Sequence, residues 1–248
     1  PSVGRAISSV VGANTSKKGY AEGNGYLVSW CFGHLVGLKY PNDYGIGWLD
    51  KWSFSQLPMI PEKWLFKIAE NTKEQFEVLK ALTSRNDVTE LICATDADRE
   101  GEMIFRYVYN MIGSNKPVKR LWVSSLEESA IRSALSKMKS LSDYDNLFSA
   151  GFSRTKADWL VGMNGSRLFS CRYHDRLDLG RVQMPTLAMI VNVIMKSKTL
   201  SDKSILPPIL TAEISSCHLQ ELMMKMSLIR LFQPATEIRL SYLPLSVR

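Results

Sequence analysis

Apolar and polar positions along the chain change period several times, and each change marks an element. A run centred on Leu91-Ile92-Cys93-Ala94 predicts a buried strand over residues 88–94. Met103, Ile104, Tyr107, Val108, Met111 and Ile112 then recur at helical spacing and predict a helix over 99–112. Residues 118–123 read as another strand, and Ser125 with Glu128 three positions on forms a capping box opening a helix to about Met138. Upstream, 72–84 reads as a helix whose inner face carries Phe76, Leu79, Lys80 and Leu82. Pro1 followed by apolar residues at helical spacing reads as a helix start. Asn24-Gly25 between two β-rich runs, 19–23 and 26–32, is a hairpin signal. Strand and helix alternate in the middle of the chain, so the fold class is α/β: a parallel, Rossmann-like layer with its crevice at the strand carboxyl ends. Residues 143–173 then turn mainly helical.

The predicted strand end at 94 leads straight into Thr95-Asp96-Ala97-Asp98-Arg99-Glu100-Gly101-Glu102, four carboxylates within seven residues. On an extended segment Asp96 and Asp98 point the same way. Two carboxylates aimed at one point repel unless a cation lies between them, and hard oxygen ligands suit Mg²⁺, which keeps most of its waters. A second reading of the same spacing is an N-cap with acids in the first helical turn, favoured by the helix dipole. That accounts for one or two of the acids and leaves both readings open on spacing alone.

Charge adds a modest bias. Lys and Arg number 31 against 24 Asp and Glu, a formal net charge of +7, and the excess lies downstream of the acids, where a polyanion could be held. Hydrophobic residues make up 45% of the chain, enough for a packed core. Cys31, Cys93, Cys171 and Cys217 are scattered without a Cys-x-x-Cys pair, so neither a zinc site nor a disulfide framework is indicated. No apolar run is long enough to cross a bilayer. A reduced, intracellular setting is the expectation, and the opening Pro1 in place of Met suggests that the start lies further upstream.

The string Asp96-Ala97-Asp98-Arg99-Glu100-Gly101-Glu102 resembles the acidic motif of the Toprim domain of type IA DNA topoisomerases, in their topoisomerase III branch. Further strings support the resemblance. Pro1-Ser2-Val3 is similar to the end of the family's opening motif, where a strand carrying a Glu and a Lys precedes it; neither residue can be assigned here. Gly33-His34-Leu35 and the stretch from Lys51-Trp52 to Trp64 match further on. Residues 154–167, Arg-Thr-Lys-Ala-Asp-Trp-Leu-Val-Gly-Met-Asn-Gly-Ser-Arg, resemble the family's Arg-x-x-Ala-Asp-Trp-Leu-x-Gly-x-Asn-x-Thr/Ser-Arg. Residues 179–187 resemble Ser-x-Gly-Arg-Val-Gln-Thr-Pro-x-Leu from Gly180 on, with Asp178 where Ser is usual and Met184 where Thr is usual.

The resemblance implies a Toprim domain over 1–142 that lacks its first strand, the start of a helical DNA-binding domain over 143–191, and a divergent tail over 192–248, expected to be frameshifted or poorly ordered. It implies Mg²⁺ held by Asp96, Asp98 and Glu100. It implies contacts to single-stranded or negatively supercoiled DNA from Trp52, Trp159, Arg167, Arg172, Asp178, Gly180, Arg181, Val182 and Gln183, in a bacterial cytoplasm. Trp159, Met163 and Arg167 share one helical stripe, which suits base stacking and phosphate pairing and suits inward packing as well. The family cuts one strand with a Tyr that stays joined to the 5′ phosphate and then reseals it without ATP. That Tyr sits in a Tyr-x-Arg-Thr-Asp/Ser string, which these 248 residues do not contain. The 248 residues alone are therefore expected to be inactive. The alternatives are a Toprim-bearing primase or nuclease, or a single-strand-binding remnant without activity.

Overall fold

The computed structural model describes residues 1–45, 47, 48 and 51–199, with backbone only for 195–199. Helix α1, Ser2–Val11, starts behind Pro1 and ends on Gly12, whose φ of 80° is the left-handed conformation a helix stop favours. Strands β1 (Thr15–Lys17), β2 (Tyr20–Gly23) and β3 (Tyr26–Ser29) form an antiparallel sheet in that order. Gly23 pairs with Tyr26, so Asn24-Gly25 is a two-residue loop. Both residues take positive φ, 48° and 77°, as the dipeptide predicts. Strands β4 (Val36–Leu38) and β5 (Phe66–Ile68) pair antiparallel.

Helix α2 runs Lys73–Thr83. Its buried positions are Gln75 and Phe76, while Lys80, expected on the inner face, is exposed. The correction has a clear cause. Gln75 Nε2 donates to the Gly19 and Trp30 carbonyls and the Ser29 hydroxyl at 3.0, 2.8 and 3.0 Å, so an amide on α2 satisfies oxygens of the β2–β3 hairpin.

Next come β6 (Leu91–Cys93), α3 (Arg99–Ile112), β7 (Val118–Arg120), α4 (Glu128–Leu135) and β8 (Lys139–Ser140). Strands β6 and β7 are parallel, with Cys93 opposite Arg120, and β8 adds antiparallel to β7. Among the described residues parallel pairing is confined to β6–β7, and both strands are shorter than predicted. The capping box does not form. Ser125 Oγ accepts from the Glu127 N–H instead, and the helix begins at Glu128. The mainly helical segment is α5, Asp145–Tyr173, followed by α6, Gln183–Thr199. Residues 192–199 belong to α6, and the rest of the 192–248 tail lies outside the described residues.

Chain contacts divide the described residues into two units, one from Pro1 to the loop before Lys51 together with Met59–Ala157, the other Lys51–Pro58 together with Asp158 onward. The first unit holds two cores. One is Leu35, Val36, Phe76, Met103, Tyr107 and Val108, and the other is Ile7, Val11, Ala13, Leu121 and Ile131. The apolar stripe of α3 thus buries Met103, Tyr107 and Val108 in the first core, which fixes the start of α3 and the acids on it.

Candidate metal and nucleic-acid sites

The acidic string begins at the carboxyl end of β6 and closes within the first turn of α3. Residues 95–98 do not continue the strand, although Asp98 itself has extended backbone angles, φ −151° and ψ −175°. The Asp98 N–H donates to the Asp96 carbonyl at 2.9 Å, folding the segment into a tight turn. Asp98 is the N-cap of α3, and its Oδ1 accepts from the Gly101 N–H at 2.7 Å. Thr95 Oγ1 closes the other side by donating to the Gly101 carbonyl at 2.7 Å.

The four acids then part company. Asp96, Asp98 and Glu100 are exposed, and Glu102 is fully buried. Glu100 Oε2 lies 3.3 Å from His34 Nε2, and its Oε1 is 3.9 Å from Arg154 Nη1. Asp96 also lines a cavity of about 1230 Å³ bounded by Ile92, Ala94, Val108 and Leu121. Among the described residues no three His, Cys, Asp or Glu side chains converge as a ligand group. The donors present still suit a hydrated hard cation, which takes one or two protein carboxylates and keeps its waters. Asp96 enters no ion pair among the described residues, and Asp98 leaves its second oxygen outside the cap bond.

Glu102 has a different task. Its Oε2 accepts from Arg120 Nε at 2.9 Å and its Oε1 from Arg106 Nε at 2.8 Å. Arg106 continues to Asp145 Oδ1 at 2.5 Å and to the Leu141 carbonyl at 2.7 Å. Arg106 and Arg120 escape a reading of the sequence that looks for acids. The signal available for Arg120 is a charge directly before the apolar Leu121-Trp122-Val123 of a predicted strand.

The second unit collects the residues singled out for nucleic acid. Trp159 and Arg167 are buried, so two of the three residues of the α5 stripe face inward. Arg167 Nη1 donates to Gln56 Oε1 at 2.7 Å, and its guanidinium lies 5.5 Å from the centroid of the half-buried Trp52 ring. That pairing of a planar cation with an indole face is attractive by itself. Arg172, in the last turn of α5, and Asp178, Arg181, Val182 and Gln183, before and at the start of α6, are exposed. Arg181 Nε pairs with Asp158 Oδ1 at 2.6 Å, and Arg176 lies 3.8 Å from Asp178. At Gly180 any Cβ would stand 2.9 Å from Gln183 Oε1. Its carbonyl accepts from the Met184 N–H and so starts α6.

Against known proteins, the Toprim domain family matches residues 1–126 and a DNA topoisomerase family matches residues 142–201. DNA topoisomerase 3 of Bacillus anthracis is 42% identical over 192 residues, covering 77% of this chain and 26% of that protein. DNA topoisomerase 3 of Bacillus subtilis (strain 168) is 40% identical over 190 residues, with the same coverage of 77% and 26%. The chain therefore spans about a quarter of the length of these curated relatives. The solved structure of full-length topoisomerase I from Thermotoga maritima matches with a TM-score of 0.51 at 23% identity, over 76% of this chain and 28% of that one. At that identity the likeness concerns the fold alone.

Proposed function

The chain belongs to the type IA DNA topoisomerases, in their topoisomerase III branch, and from that premise we propose that it forms the Toprim part, and the start of the DNA-clasping part, of an enzyme that opens and reseals one DNA strand. In this reading residues 1–142 make the Toprim domain and 143–191 open the helical DNA-binding domain. Asp96, Asp98 and Glu100 hold a divalent cation, Mg²⁺ in the cell. When bound, that ion supplies positive charge to the phosphate being resealed.

The chain's own residues do the rest of the positioning. Arg154, beside Glu100, brings a guanidinium that can pair with a phosphate oxygen. His34 holds the other Glu100 oxygen and so sets its rotamer. In the second unit Trp52, seated on Arg167, offers a ring face to a base, and the buried Trp159 lies on the same stripe of α5 as Arg167. Arg172, Arg181 and Gln183 donate to backbone oxygens. Gly180 admits close approach of a phosphate, and Asp178 and Val182 border the path. No Tyr of the 248 residues stands in the family's nucleophile string, so the chain by itself neither cleaves nor relaxes DNA. No helix among the described residues is long and apolar enough to cross a membrane, and we place the chain with DNA in the bacterial cytoplasm or nucleoid.

The observation that carries the reading is the exposure of three carboxylates where β6 ends, in a chain matching Toprim over 1–126. The test is twofold. The 248-residue chain should bind Mn²⁺, followed by the loss of the free-ion electron paramagnetic resonance signal, and Asp96→Ala with Asp98→Ala should abolish that binding. It should bind a single-stranded oligonucleotide with an affinity that falls steeply with salt. Absence of Mn²⁺ binding refutes the metal site. Relaxation of a negatively supercoiled plasmid refutes the inactivity, and metal-dependent nicking moves the assignment to a Toprim nuclease.

A further inference from the structure

Arg120 is the last residue of β7 and has no solvent exposure. Three of its five hydrogen bonds go to the end of β6 and the segment that leaves it. Nη1 donates to the carbonyls of Cys93, Thr95 and Leu121 at 3.2, 2.8 and 2.9 Å, and Nη2 to the Asp96 carbonyl at 2.6 Å. Nε goes to Glu102 Oε2, which supplies the counter-charge. The rings of Trp122 and Tyr144, with centroids 5.0 and 5.9 Å from the guanidinium carbon, lie over it.

The Asp96 carbonyl is the focus of this arrangement. It accepts from Arg120 and from the Asp98 N–H, and it lies against Gly101 so closely that a Cβ there would be 2.1 Å away. Fixing that carbonyl fixes the Asp96–Ala97 peptide plane, and with it ψ of Asp96, while the Asp98 N–H bonded to the same oxygen ties Asp98 to that plane. We propose that Arg120 is a positioning residue for the acidic site: it locks the 95–98 turn so that the Asp96 and Asp98 carboxylates are held ready for a divalent cation. The proposal rests on the metal reading given above. It assigns Arg120 no contact with the ion or with DNA.

The geometry makes a specific demand on chemistry. Only a planar fork with several N–H groups can serve three carbonyls of one chain segment and a carboxylate together. A Lys keeps the charge and loses the fork. Arg120→Lys in the 248-residue chain should therefore remain folded by circular dichroism, with Mn²⁺ affinity about 10- to 100-fold lower, the usual cost of removing a residue that orients ligands. The Asp98 amide, bonded to the Asp96 carbonyl, should exchange with deuterium faster in the variant, with or without metal. A merely structural role would lower stability and leave these local readouts unmoved.

If Arg120→Lys does not fold, Glu102→Gln serves instead. It keeps an acceptor for Nε and loosens the ionic anchor, so a smaller loss of Mn²⁺ affinity and the same faster exchange are expected. Wild-type Mn²⁺ affinity and unchanged Asp98 exchange in a folded variant overturn the proposal while leaving the metal site standing. If the wild type itself binds no Mn²⁺, the metal reading falls. Asp98 exchange that stays as slow in the variant as in the wild type then removes the lock as well.

Discussion

Replacing Gly101 with Ala probes the packing beneath the acidic turn with a single carbon. In an ordinary helix interior this change stabilises by about 1 kcal/mol, because Gly carries the larger entropy loss on folding. Here the added Cβ would meet the Asp96 carbonyl oxygen at 2.1 Å and the Asp96 carbon and nitrogen at 2.8 Å. All three are backbone atoms, so relief requires the 95–98 turn to move by about an ångström. That movement strips the Asp96 carbonyl of Arg120 Nη2 at 2.6 Å and of the Asp98 N–H at 2.9 Å.

Overpacking costs about 1–3 kcal/mol and a hydrogen bond to a charged donor about 1.5–3 kcal/mol. Set against the helix gain, the net loss is about 2–5 kcal/mol, which corresponds to a fall in Tm of about 4–20 °C for a chain of this size. Gly151→Ala is the internal control. It also sits in a helix, and its Cβ would meet Met103 Sδ at 3.0 Å and Cγ at 3.1 Å, the far end of a flexible side chain. That variant should fall within about 1 kcal/mol of wild type. Urea unfolding of the three proteins, followed by tryptophan fluorescence, gives the comparison. A Gly101→Ala protein as stable as wild type, or more so, refutes the claim that the turn is pinned against α3.

Glu102→Leu leaves Arg120 buried without a counter-charge and should cost about 3–5 kcal/mol, whereas Asp145→Asn, at the exposed end of the same chain of ion pairs, should cost less than about 1 kcal/mol; equal costs in urea unfolding would contradict the buried role of Glu102. Lys67, hydrogen-bonded at 2.5 Å, holds the Asp43 carboxyl below the usual carboxylate range. A depressed folded pKa contributes stability above the ordinary carboxylate value that is lost as the pH falls through the depressed one. The difference between wild type and Lys67→Ala, about 0.2–1 kcal/mol at pH 6, should therefore vanish in strong acid; a gap that widens on acidification reverses the argument. Burial pushes the Cys31 thiol up to about 11, so only about a thousandth of it is thiolate at pH 8 and iodoacetamide should label it far more slowly than a free model thiol. Mass spectrometry showing Cys31 labelled at the model rate would dispose of that burial.

Much of the fold is legible because local chemistry and final structure agree. The Asn24-Gly25 dipeptide has few uses outside a tight hairpin, and the α3 stripe from Met103 to Ile112 repeats long enough to define its period. The strands are less legible because their ends are set by partners distant in sequence. Apolar character continues past Cys93, yet β6 stops there, and beyond it the Thr95 and Asp96 carbonyls are taken by the Arg120 side chain in place of a strand. The start of α4 is misread for a related reason. Ser125 has two acceptable N–H partners within reach of a turn, and it takes that of Glu127. Lys80 and Gln75 exchange places in the inner face of α2 because the hairpin presents oxygens that need donors, a demand that no helical period records.

The acidic site divides along the same line. Its charge density is visible in the string from Asp96 to Glu102, and Asp98 turns out to be a helix cap while remaining exposed, so the two sequence readings do not exclude each other. Helical phase separates Glu102 from the others: it lies beside Met103 and one turn from Arg106, on the side of α3 that packs inward. Which cation meets it depends on register. Parallel pairing of β6 with β7 sets Arg120 opposite Cys93, and a long side chain at that point must lie under the segment leaving β6. A parallel pair requires a crossover, here through α3, so the residue that fixes the acidic turn is necessarily remote from it in sequence. The acids can be read from one short string, but what holds them in place is supplied by the neighbouring strand.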